Sequence, residues 1–279
     1  MPPEEEQPAS TSQRGDAVQQ DSNARQSLTR RTFKDRRRQS LLIFAFAGTL
    51  AVVGGLWWQG FFEVIRSTQT PTVPASVRFD ELCEQVRQGR SDKFHANFEV
   101  DDALVLTRLG EMDWIETLIL DQGSVGDRSA EVIATLPNLQ HLRLRLSPIG
   151  DEGLRDLSNC KTLWYLNLPH SVCTTKGVES LASLPKLRQL RLGSKYLGND
   201  VTRAIATVPS LRGVHLIGIP VTDEGLKTLA AMPHLESLYL DDSAVTEAGW
   251  EWLFREHPHM HVHVNQSHHD RDPKAHPHH

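Results

Sequence analysis

The apolar positions of this chain recur every 24 residues. Ile115, Leu139, Leu163, Leu187, Leu211 and Leu235 open the series. Three residues after each stand Leu118, Leu142, Leu166, Leu190, Val214 and Leu238. Two further on are Leu120, Leu144, Leu168, Leu192, Leu216 and Leu240. A fixed period in the range of roughly 20–50 residues predicts a solenoid made of one repeated unit. The L-x-x-L-x-L stretch alternates apolar and polar side chains, which predicts a short strand. Val125, Ile149, Cys173, Leu197, Val221 and Val245 hold a further phase, as do Ile133, Leu157, Leu181, Ile205, Leu229 and Leu253. Thr222-Asp223-Glu224 and Gly150-Asp151-Glu152 read as helix starts, because acidic residues suit the positive end of a helix. Leu226 with Leu229, and Leu154 with Leu157, then face inward at helical spacing. Pro137, Pro185, Pro209 and Pro233 close the helices just before the next strand.

Each unit is thus a strand, a turn and a short helix. Leu235 to Trp250 shows the pattern most fully, as L-x-x-L-x-L followed later by V-T-E-A-G-W. This resembles the leucine-rich repeat family, in its L-x-x-L-x-L-x-x-T-x-I-T-D-x-G-L variant, over six units from residue 115 to 258. The resemblance implies an α/β solenoid with parallel strands on a concave face and short helices on the convex one. Proteins of this kind with one N-terminal anchor are similar to many bacterial surface proteins, those of planctomycetes among them. The family's asparagine ladder falls here on Gly123, Ser147, Ser171, Lys195, Ile219 and Ser243, which implies less regular turns near Lys195 and Ile219. A solenoid needs closed ends. Residues 77–112, with Phe79, Leu82, Val86, Phe94, Phe98 and Val100, supply an N-terminal cap. The solenoid proper is expected over 113–264, with a last strand through Met260, Val262 and Val264 and with Trp250, Trp252 and Phe254 as closing bulk.

The first 40 residues lack any apolar period and read as a disordered cytoplasmic tail. Leu41 to Trp58 is an uncharged run, and extended to Phe62 it makes 22 residues. As a helix that is roughly 33 Å, enough for a hydrocarbon core of about 30 Å. Residues 41–62 are therefore expected to be a single transmembrane helix. Arg30, Arg31, Lys34 and Arg36–Arg38 precede it, which places the N-terminus in the cytoplasm and the repeats outside. A processed export signal is the alternative, since Thr29-Arg30-Arg31-Thr32-Phe33 resembles a twin-arginine signal. The further arginines and the lack of a small-residue cleavage site favour an uncleaved anchor. Residues 63–76, with Pro71 and Pro74, form a linker.

Charge follows this division. The whole chain carries 30 Lys+Arg and 35 Asp+Glu, a formal net charge of -5. Residues 1–40 hold 8 and 6 of these, so everything from Glu63 onward carries -7. That acidity argues against a nucleic-acid partner. Three cysteines are too few for a disulfide scaffold, and Cys160 and Cys173 fall in core phases. Phosphate loops, nucleophile elbows and zincin motifs are absent, so no enzyme and no cofactor are expected.

Candidate chemistry lies between the strand leucines. His141, Arg143, Arg145, Tyr165, Asn167, Gln189, Arg191, His215, Tyr239 and Asp241 should line the concave face, with Thr117, Ile119 and Ile217. Arg and Tyr are types enriched at binding interfaces. The reading is a recognition scaffold for a protein or glycan ligand. Nine of 14 histidines lie in residues 257–279, and His259, His261 and His263 alternate as metal ligands on one strand side would. A metal-handling surface protein or a cell-envelope spacer are the alternatives. Residues 265–279 read as a His-rich disordered tail.

Overall fold

The computed structural model describes residues 73–110 and 112–269. The expected tail, span and most of the linker lie outside the described residues. Among the described residues no helix is long and apolar enough to cross a membrane.

The described residues build one nine-stranded sheet in sequence order, β1 to β9. The strands are β1 (Lys93–Asp101), β2 (Thr117–Ser124), β3 (His141–Leu144), β4 (Tyr165–Ser171), β5 (Gln189–Ser194), β6 (Gly213–Ile217), β7 (Ser237–Asp241), β8 (His261–Val264) and β9 (Ser267–His268). All neighbours pair parallel except β8 and β9, which are antiparallel. Helix α1 (Ala75–Gln85) precedes the sheet. The helices between strands are α2 (Asp102–Arg108), α3 (Asp127–Ile133), α4 (Asp151–Leu157), α5 (Thr175–Glu179), α6 (Val201–Ala206), α7 (Asp223–Ala230) and α8 (Glu247–Glu256). Parallel strands with one helix per crossover are what the 24-residue period implies.

The period sets the register. Phe94, Leu118, Leu142, Leu166, Leu190, Val214, Leu238 and Val262 face one another strand by strand. All eight are buried. The inward helix residues Leu154, Leu157, Leu226 and Leu229 are fully buried against them. Cys83, Cys160 and Cys173 are free thiols in this core, and burial pushes the Cys160 thiol up to about 11. In the N-terminal cap, Phe79 and Phe94 pack with ring centroids 5.0 Å apart. There β1 alternates strictly, with Phe94, Ala96, Phe98 and Val100 buried. The Asp101 carboxylate accepts from the Leu104 amide at 3.0 Å and starts α2.

A second ladder runs along the helix starts. Asp127 accepts from the Gly150 amide at 2.6 Å, and Asp151 from the Thr174 amide at 2.7 Å. Asn199 accepts from the Thr222 amide at 2.8 Å, and Asp223 from the Thr246 amide at 2.8 Å. Each residue thus satisfies an orphan amide at the helix start of the next unit. The glycine of D-x-G has a matching reason. A Cβ on Gly153 would stand 2.5 Å from Asp127 Oδ1, and one on Gly177 2.5 Å from Asp151 Oδ1. Gly225 and Gly249 meet Asn199 and Asp223 in the same way. Where Thr175 stands in place of Asp, Val201 stands in place of Gly.

The polar positions in the turns are partly made good. The Ser171 hydroxyl donates to the Gly193 carbonyl at 2.9 Å. At Lys195 the residue before it substitutes: the Ser194 hydroxyl donates to the Cys173 carbonyl at 2.7 Å. At Ile219 the side chain is buried, while Gly218 takes φ +64 and donates its amide to Asp241 at 3.0 Å.

The acid response follows from the ladder. The hydroxyl and then the amide of Thr246 hold the Asp223 carboxyl below its ordinary range. For Asp151 burial acts upward, and the amide and hydroxyl of Thr174 with the Gly177 amide outweigh it. A carboxyl lowered in the folded state adds stability that is complete above its unfolded pKa and lost as pH falls through the folded one. Thermal stability should therefore drop below about pH 4. Asp223→Asn keeps an accepting oxygen, as Asn199 does, and removes the titration. Its melting temperature should fall less than that of the parent between about pH 6 and pH 3 by circular dichroism. An equal fall would contradict the assignment.

Two boundaries differ from expectation. Helix α1 begins at Ala75, because Pro74 serves as its N-cap with extended backbone and continues no helix on its N-terminal side. Residues 265–269 do not begin the tail: the chain turns at Asn265 and Gln266, and Ser267–His268 fold back as β9. Asn265 and Gln266 both have positive φ, 51 and 66, which suits a two-residue hairpin turn.

Candidate binding face

Alternation along the strands puts one residue in two on the open face of the sheet. The pairing sets these in rows. His141, Tyr165 and Gln189 align in one row. Arg143, Asn167, Arg191, His215, Tyr239 and His263 align in the next. Arg145 extends β3 by donating its amide to Leu120 at 2.9 Å, and Asp241 ends β7. All ten residues read from the sequence as the concave binding set therefore share one face.

The structure divides that set into three groups. Arg143, Arg145, Asn167 and Arg191 surround a hollow of about 380 Å³, with Pro169, His170 and Ile217. Beside it His141 stacks on Tyr165 at 4.0 Å, and Trp164 meets both rings edge-on. Gln189 lines a second hollow of about 490 Å³ with Trp164, Lys186, Arg188 and Arg212. Further along, His215 bonds Asp241 at 2.9 Å and packs near Tyr239.

Charge is distributed unevenly across this face. Asp121 is held by His95 and Arg143, each at 2.8 Å. Asp241 is held by His215 and by the Gln266 amide at 3.1 Å. Among the described residues neither Arg145 nor Arg191 has a carboxylate within ion-pair distance. Arg191 Nε and Asn167 Oδ1 are buried without a hydrogen-bond partner, and Asn167 is only 2% exposed. A buried polar atom left unpaired costs about 1–3 kcal/mol, so a ligand that pairs it regains that energy. The imidazoles register the same field. Burial, then Arg145 and Arg191, lower the His170 pKa. Burial, then Lys93 and Arg143, lower that of His141. A planar guanidinium pair of this kind suits a carboxylate or phosphate.

Several residues here escape the sequence pattern. Trp164 is 39% exposed and lies in a phase filled by Gln140, Arg188 and Arg212 in other units. Leu146 is 56% exposed with φ 56, at the edge of the hollow, and its amide meets His170 at 3.2 Å. A leucine in left-handed backbone is strained. Its one legible signal was a leucine outside the 24-residue frame.

The metal expectation needs a correction. His259 lies in the turn between α8 and β8, exposed, because β8 begins only at His261. His261 and His263 are joined instead by His268 on β9, with ligand atoms all within 4.8 Å of one another.

The family model described as Leucine Rich repeat matches residues 135–158, one unit of the period. The repeat resemblance therefore holds: the matched unit has the strand–turn–helix form that the resemblance implies. Among solved structures, a leucine-rich repeat protein of Leptospira interrogans is similar at 20% identity and TM-score 0.43, over 56% of this chain and 44% of that one. A plant peptide hormone receptor, solved in complex with RGF2, is similar at 16% identity and TM-score 0.44, over 64% and 29%. An internalin from Listeria monocytogenes is similar at 18% identity and TM-score 0.34, over 62% and 60%. The chain thus spans less than two thirds of the length of each. No curated protein matches the sequence.

Proposed function

We propose that this leucine-rich repeat chain is a non-enzymatic recognition scaffold whose strand face, read as concave, binds an acidic segment of a protein partner. The observation that carries this reading is the hollow between β3 and β5, where Arg145 and Arg191 lack carboxylate partners among the described residues, beside the unpaired Asn167 Oδ1. Trp164, Tyr165 and Leu146 add aromatic and apolar contact area next to it, the mixture that binding centres use. The chain from Glu63 onward is net acidic, so a basic hollow on it is a local feature and not an average.

The anchor belongs to the same proposal. Residues 41–62 would hold the repeats outside the membrane and raise the local concentration of a membrane-bound partner. Both parts are tested on intact cells carrying the full chain with a photo-crosslinking side chain in place of Tyr165. Protease added outside should remove the repeats and leave the first 40 residues, and irradiation beforehand should trap the partner on the repeats. Protection of the repeats would overturn the topology, and irradiation without a trapped protein would overturn the binding site.

A further inference from the structure

We propose that the end of the sheet is a binding site for a divalent transition metal, held by His261, His263 and His268, separate from the basic hollow. The site is made by the hairpin. Asn265 and Gln266 turn the chain back, and pairing sets His268 opposite His263. The turn is tied to the preceding unit at three points. The Asn265 amide donates to Leu240 at 3.2 Å, Asn265 Oδ1 accepts from the Asp242 amide at 2.8 Å, and the Gln266 amide donates to Asp241 at 3.1 Å. The three rings are therefore placed by the fold.

Their geometry suits coordination. Nε2 of His261 and Nε2 of His263 lie 3.0 Å apart. In a tetrahedral zinc site with Zn–N of about 2.0–2.1 Å, two nitrogens stand about 3.4 Å apart. One edge of the site is thus nearly set, and all three ligand atoms fall within 4.8 Å. The His263 and His268 rings are 4.1 Å apart, and those of His261 and His268 5.0 Å. Small ring rotations close the set. Tyr239 stacks on His263 at 4.4 Å and fixes that ring, while His263 is only 8% exposed. Three imidazoles without a carboxylate favour Zn²⁺, Ni²⁺ or Cu²⁺ over Mg²⁺ or Ca²⁺. Three protein ligands leave a further position for water. Without metal, the same Nε2 pair makes a hydrogen bond, one ring donating and the other accepting.

The test is calorimetric titration of the full-length protein with ZnCl₂ at about pH 7.5. One equivalent should bind. Losing even an outer-shell partner weakens a metal site by about 10–100-fold, so His268→Ala and His261→Ala should each weaken binding at least about tenfold. His259→Ala should change nothing, nor should replacing His276, His278 and His279 by Ala together. Circular dichroism without metal shows whether each variant is folded. Cobalt in place of zinc gives a visible absorption of tetrahedral type, which His268→Ala should remove. Zinc binding unchanged by His268→Ala, or abolished by the tail substitutions alone, would overturn the site. That outcome leaves the basic hollow untouched, because none of these residues lines it.

Discussion

Arg191→Glu is expected to weaken partner binding by about 100-fold or more while the fold is kept. Truncating one side of a desolvated charge pair costs about 2–5 kcal/mol, and a factor of 100 is about 2.7 kcal/mol. Reversal adds repulsion to that loss. Arg191 stands between Asn167 and His215 in the register and makes no ion pair among the described residues, so its loss breaks no bridge. Arg191→Lys separates charge from geometry. It keeps the cation and loses the planar fork, so it should recover only part of the affinity. Binding by surface plasmon resonance, with melting temperature as the control for folding, reads all three proteins. Equal affinity for Arg191→Glu and the parent would remove the hollow from the account.

The second large effect concerns stability. Gly225→Ala should cost about 1–3 kcal/mol, the usual range for overpacking a tight site. Its Cβ would collide with Asn199 Oδ1, and it would also stand 3.0 Å from Thr202 Cγ2. Asn199 cannot swing aside freely, since that oxygen accepts from the Thr222 amide at 2.8 Å. Asn199→Thr alone should cost about 1 kcal/mol, the worth of a helix-start hydrogen bond. The double variant resembles the Thr175–Val201 arrangement that the chain already contains, with Ala in place of Val. It should be more stable than the sum of the two single losses, because the collision is gone. Denaturant unfolding of the four proteins measures the coupling. Simple additivity would show that the glycine has some other purpose.

The comparison of sequence and structure turns on what is periodic. The core leucines recur in one frame, so strands, helices and their order were legible from residue identity alone. The ends were legible in part, because Phe94 and Trp250 stand in the repeat frame, 24 residues from Leu118 and Leu226, and both are buried, as is Phe79 in α1. Of the ladder of Asp127, Asp151, Asn199 and Asp223, only Asp151 and Asp223 were read, and only as helix-start chemistry. Its bonds cross to the next unit, 23 residues on, and that partner becomes visible once the units are stacked. The same holds for His95 with Asp121 and His215 with Asp241, each 26 residues apart.

The strand face was legible as a surface and not as a site. Ten residues were assigned to it on alternation, and alternation does place them there. It could not separate Arg145 and Arg191, which lack acidic partners among the described residues, from Arg143, which has Asp121. Trp164, His170 and Leu146 stand in phases that change character from unit to unit, so no pattern marks them. His268 of the proposed metal site was not read, because a two-residue hairpin after the last repeat breaks the period. His259 was included because strict alternation was carried back past the true start of β8.

The claim that the strand face is the binding surface is tested most directly by the position of crosslinks. A photo-crosslinking side chain is placed at Tyr165, Gln189 or Asn167 on that face, and at Arg203 or Lys227 on the helices. Intact cells carrying each full-length variant are irradiated. The account predicts one partner band from the three strand positions, lost with Arg191→Glu, and no such band from the helix positions. A band from Arg203 or Lys227 with none from the strand positions would contradict it.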